Sequence, residues 1–126
     1  MTENEGILFA FFERAREANV HWAEVRIEEI EQPSPHKRLT DDEVQTLRKL
    51  LETETGRQAL KKLLVQCGSS NFFSVLTNID GYTFDKSVEL VNAETLEPLT
   101  DRAISPVYSI YSQLLRATED VFNYNE

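Results

Sequence analysis

The side chains best suited to chemistry by type and spacing fall in 71-NFFSVLTNIDGYTFDKSVELV-91, where Asn78 and Asp80 precede Gly81. Oxygen donors beside a glycine suggest a calcium loop, which needs an acidic first ligand, glycine at the sixth place and a bidentate Glu at the twelfth. Setting Gly81 sixth puts Leu76 first and Ser87 twelfth, so both key ligands are missing. The stretch reads instead as an apolar helix that ends, a turn at Asp80-Gly81 and an extended exit. Asn and Asp hydrogen-bond their own backbone in turns, and Gly accepts positive φ.

Other chemistries are searched for with the same result. The glycines stand apart at 6, 56, 68 and 81, so neither a P-loop nor a dinucleotide fingerprint is present. Cys67, His21 and His36 are too far apart in sequence for any recognised zinc spacing. Cys67 is placed at the end of a helix, where the dipole disfavours a thiolate, and is expected to be a small buried hydrophobe. His21 reads as packed beside Trp22, and His36, between Pro35 and Lys37, as a surface residue. With 22 acidic residues, carboxylate pairs arise by composition alone. The expectation is a protein that is not an enzyme and holds no metal or cofactor.

Charge carries more information. The formal net charge is −9, a field that repels phosphate backbones and disfavours nucleic acid. Residues 1–35 carry 3 basic and 8 acidic side chains and residues 68–126 carry 3 and 9, whereas residues 36–67 carry 7 and 5. Two acidic clusters beside aromatic residues are the candidate partner-binding surfaces: Trp22 with Glu24, Glu28, Glu29 and Glu31, and Asp80, Tyr82, Asp85 and Glu89. In the basic middle, Arg57, Lys61 and Lys62 stand on the second of two helices between Thr40 and Cys67, an arrangement of helix-turn-helix flavour.

The elements that position these residues are mostly helical. In 4-NEGILFAFFERAREAN-19, Ile7, Leu8, Phe11, Phe12 and Ala15 repeat at helical spacing, with Asn4 as a cap and Asn19 as a stop. Residues 20–32 fit a short helix or an irregular extended piece, and two prolines make 33–39 a loop. Thr40 with Glu43 forms a capping box that opens the next helix. Thr55 with Gln58 repeats the signature and opens a third, which Gly68 ends. Ser69 or Ser70 starts a fourth helix through Ile79. Residues 88–91 and 96–99 around the turn 92-NAET-95 read as a hairpin with Pro98 on an edge. Ser105-Pro106 opens a last helix to about Phe122 with a wide apolar face.

The fold expected is therefore mainly α (α+β): one domain over 1–126, with four to five helices in a compact bundle and a small antiparallel β-hairpin near residues 87–100. The acidic N-terminus lacks a signal peptide's basic flank, no apolar run spans a membrane, and a single cysteine suits a reducing compartment, so a cytoplasmic location is expected. The function expected is a small acidic protein-binding domain of the inhibitor or immunity type, which covers a basic surface on a partner protein. The alternatives are a self-assembling scaffold subunit, dimerising through Tyr108, Tyr111 and Leu114 of the last helix, and a DNA-binding regulator acting through residues 40–67.

Overall fold

The computed structural model of the chain describes residues 2–79, 88–100 and Tyr111. Among them are three helices: α1 (Glu3–Glu31), α2 (Asp41–Leu50) and α3 (Glu54–Ile79). No helix among the described residues is long and apolar enough to cross a membrane. The α1 helix starts with a capping box, Thr2 with Glu5, two residues before the Asn4 cap expected from sequence. The α2 helix starts as its sequence requires, with the Thr40 hydroxyl accepting from the Glu43 amide and the Glu43 carboxylate accepting from the Thr40 amide. The Thr53 hydroxyl, rather than Thr55, caps α3 by accepting from the Gly56 amide at 3.0 Å. A Cβ at Gly56 would lie 2.0 Å from the Leu50 carbonyl oxygen, so the tight α2–α3 corner requires glycine.

Two of the expected breaks do not occur, and this overturns the bundle of four to five helices. The α1 helix runs through Asn19 for 29 residues, and α3 runs through Gly68 for 26. Both supposed stop signals belong to one interhelical contact. Asn19 Nδ2 donates to the Val65 carbonyl at 2.8 Å and to Ser69 Oγ at 3.0 Å. Gly68 makes room for it, since a Cβ there would lie 1.8 Å from Asn19 Oδ1. A glycine notch facing an amide knob lets two helices approach closely without ending either.

The pairing is antiparallel. Phe12, near the start of α1, meets Phe72, near the end of α3, while Glu31 at the end of α1 meets Arg57 at the start of α3. At the far end, α1 lacks a basic residue in its last turn. Arg48 of α2 supplies one, donating from Nε to the Ile30 carbonyl at 2.8 Å and from its terminal nitrogen to the Gln32 carbonyl. Those carbonyls are otherwise unmet at a helix C-terminus, and a cation there is favourable.

The expected β-hairpin is also corrected. Residues 88–100 form one isolated antiparallel bridge, Val91 with Pro98, and no strand. Its two cross-links, the Asn92 amide to the Glu97 carbonyl and the Leu99 amide to the Leu90 carbonyl, flank the pair, and between them Leu96 turns into the left-handed region at φ 62, so the chain closes a tight turn rather than extending a ladder. The segment is a loop, shaped by Asn92 Oδ1 accepting from the Glu94 amide. Asn4 ties it to α1, donating to Pro98 O and Glu97 Oε2 and accepting from Asn92 Nδ2. Beneath the loop, Leu8, Phe12, Leu76, Leu99 and Tyr111 form the principal buried cluster. The Tyr111 ring stands edge-on to Phe12 at 5.3 Å and to Phe72 at 4.9 Å. The turn at Asp80-Gly81 and the remainder of the last expected helix lie outside the described residues.

Candidate functional site

The outward half of α1 sorts its side chains by the 3.6-residue period. On one flank stand Glu13, Glu17, Glu24, Glu28 and Glu31, and on the other Ile7, Phe11 and Trp22. The three apolar side chains are 41 %, 47 % and 53 % exposed, high values for residues of this size. The first acidic cluster expected from sequence is thereby divided. Glu24 accepts from Lys61 Nζ at 2.7 Å, and Glu31 accepts from Arg57 at 2.8 Å. The Lys61 hydrogen bond, aided by its charge, holds the Glu24 carboxyl below the usual carboxylate range; the bond to Glu31 likewise raises Arg57. Glu29 faces the other way. It takes Arg26 at 2.6 Å and lies 3.8 Å from His36 Nε2, while Arg26 sits 5.5 Å from the Trp22 ring centre.

Glu13, Glu17 and Glu28 form no ion pair among the described residues, and all three are exposed. Of the second cluster, Asp80, Tyr82 and Asp85 lie outside the described residues, and Glu89 is exposed. Arg57 and Lys61, the cations singled out for a DNA-reading helix, are turned toward the glutamates of α1. Tyr111, taken from sequence for a dimer face, is 1 % exposed in the core of its own chain, so its ring is not available to a second copy; Tyr108 and Leu114 lie outside the described residues.

The remaining nucleophile and bases are also placed. Cys67 is exposed in the middle of α3 rather than buried at a helix end, because the helix continues past Gly68. His21 is exposed and edge-on to Trp22 at 5.5 Å. His36 is half-buried rather than on the surface, with Nδ1 accepting from the amides of Arg38 and Leu39 at 3.0 and 3.1 Å. That leaves the neutral ring's proton on Nε2, toward Glu29. Among the described residues no group of three or more His, Cys, Asp or Glu is placed to hold a metal ion.

One concavity was not anticipated from sequence. A cleft of about 690 Å³ opens between the last turns of α1, the 32–39 loop, α2 and α3. Ile30, Leu39, Leu47, Leu60 and Leu64 form its apolar part, and Arg26, Glu29, His36, Lys37 and Arg38 its polar rim. The only sequence trace of it was the basic pair after Pro35, which has no regular period to reveal it. Comparison of the chain with protein-family models, with curated proteins and with solved structures finds no match.

Proposed function

We propose that this chain is a small acidic protein-binding domain of the inhibitor or immunity type, which lays the outward face of α1 on a basic surface of a partner protein. One observation carries the reading: exposed Ile7, Phe11 and Trp22 run along one edge of that face, and Glu13, Glu17 and Glu28, without an ion pair among the described residues, along the other. Aromatic anchors supply most of the affinity of a typical interface, while charge complementarity sets partner choice and association rate. The net charge of −9 extends the attraction beyond contact range.

Neither alternative gains a comparable observation. A DNA-reading helix would need Arg57 and Lys61 free to reach phosphates or bases, and both are bonded to α1. A dimer face centred on Tyr111 would have to expose a ring that packs between Phe12 and Phe72.

The test is quantitative capture from extract of the source cell, comparing the native chain with Glu13→Lys/Glu17→Lys/Glu28→Lys and with Trp22→Ala. A basic protein should be retained by the native chain, released by salt, and lost to the charge-reversed variant. Trp22→Ala should mainly speed its dissociation. Retention that is indifferent to both salt and charge reversal, or no retained protein, refutes the proposal.

A further inference from the structure

We propose that the cleft between α1, the 32–39 loop, α2 and α3 binds a single-chain anionic amphiphile, an aliphatic carboxylate. Its tail lies on the leucine-lined floor and its head meets Lys37 and Arg38. The site is separate from the outward face of α1 and does not depend on the partner-binding reading.

Size comes first. About 690 Å³ falls within the range of about 300–1,000 Å³ typical of small-molecule sites. The character of the floor selects the tail. The apolar lining is aliphatic, with no Phe, Tyr or Trp, which suits a flexible hydrocarbon tail. Three acceptors on lining residues already have partners. The Ile30 and Gln32 carbonyls accept from Arg48, and His36 Nδ1 accepts from the Arg38 and Leu39 amides. A peptide would bring backbone donors and acceptors that such a floor leaves unmet, at a cost of about 1–3 kcal/mol each. A hydrocarbon chain brings none.

The rim selects the head group. Arg26 is committed to Glu29, while Lys37 and Arg38 are exposed and have no ion-pair partner among the described residues. In a chain of net charge −9, two adjacent cations without an ion pair among the described residues, at the mouth of an apolar cleft, are the local exception. Screening confines each charge to about 8 Å at physiological salt, so a carboxylate at the rim responds to them rather than to distant acids.

The test is calorimetric titration of the full chain with laurate below its micellar concentration, with dodecyltrimethylammonium as the cationic counterpart of the same tail. Amide NMR shifts locate the site. Laurate should bind saturably with shifts centred on residues 30–39, Leu60 and Leu64, and the cationic amphiphile should not perturb those amides. Lys37→Glu/Arg38→Glu, which changes only an exposed loop and leaves the helices intact, should weaken laurate about tenfold, as expected for reversing two rim charges. Equal binding of the two amphiphiles, unchanged affinity in the double variant, or shifts spread over other surfaces would overturn the proposal, as would no binding.

Discussion

Gly68→Ala tests the most consequential feature of the fold, the seating of Asn19 in the notch of α3. A Cβ at position 68 would lie 1.8 Å from Asn19 Oδ1, 2.6 Å from its Cγ and 3.0 Å from its Nδ2, so the whole amide must leave. It would give up the bonds to the Val65 carbonyl and Ser69 Oγ, each worth about 0.5–1.5 kcal/mol net. Against that loss of about 1–3 kcal/mol, alanine is favoured over glycine in a helix interior by about 0.8–1.0 kcal/mol. The net cost is about 0–2 kcal/mol, or up to about 8 °C in Tm for a domain of this size.

The decisive comparison is the same substitution in an Asn19→Ala background. With the amide gone the notch is empty, and Gly68→Ala should stabilise by up to about 1 kcal/mol through helix propensity alone. The double-mutant cycle, measured by urea unfolding with circular dichroism and Trp22 fluorescence, should show a coupling of about 1–3 kcal/mol. If Gly68 instead ended one helix before another began, alanine would be penalised in both backgrounds, because a left-handed cap disfavours any side chain. Additivity within about 0.5 kcal/mol would refute the knob-and-notch account.

Three further outcomes follow from the same geometry. Burial chiefly raises the Tyr111 phenol above its ordinary value, opposed by the Ser69 hydrogen bond and the Arg16 charge; the neutral form therefore favours folding, and stability present below about pH 10 should fall as pH rises through the folded pKa. Tyr111→Phe should cost about 1 kcal/mol at neutral pH and flatten that alkaline decline in urea midpoints; an unchanged decline would exclude the ring. Leu96, 75 % exposed with φ 62, should be better served by Asn, which tolerates the left-handed region, and Leu96→Asn should raise stability by about 0.5–1 kcal/mol in thermal unfolding. Glu24 has a lowered pKa because of Lys61, so its contribution is present above the unfolded value near pH 4.3 and lost as pH falls through the folded one; Lys61→Met should cost a few tenths of a kcal/mol at pH 7 for so exposed a pair, and the gap to the native chain should close in acid.

What could be read from sequence was what is settled within a few residues. The Thr40–Glu43 box is local: two side chains and two amides three residues apart decide it, and no distant partner competes. The apolar repeat Ile7, Leu8, Phe11, Phe12 and Ala15 was legible as a helix, but only Leu8 and Phe12 are fully buried, while Ile7 and Phe11 are exposed. Asn19 and Gly68 were misread because the same residue types that end helices also make close contacts between them. The outcome depended on partners 46 and 50 residues away. The 88–100 segment failed for a different reason. Its alternating pattern was real, but alternation does not show where the chain reverses: Leu96 adopts the left-handed region at φ 62, and the pairing stops at the single bridge between Val91 and Pro98.

The charge pattern shows how folding changes the meaning of a tally. Read along the chain, the acids of α1 and the cations of residues 36–67 look like two surfaces for two kinds of partner. Antiparallel packing instead brings Lys61 to Glu24, 37 residues away, and Arg57 to Glu31, 26 residues away. Two of those cations are thus spent on α1, and each pair also removes one glutamate from the outward face. Exposed pairs of this kind contribute little to stability, so their main consequence is selection: they take Glu24 and Glu31 out of the outward face and leave Glu13, Glu17 and Glu28 as exposed acids beside Phe11 and Trp22. Among the described residues Lys37 and Arg38 escape the same neutralisation, because the loop after Pro33 and Pro35 carries them off the helix axis, away from the glutamate flank and onto the rim of the cleft.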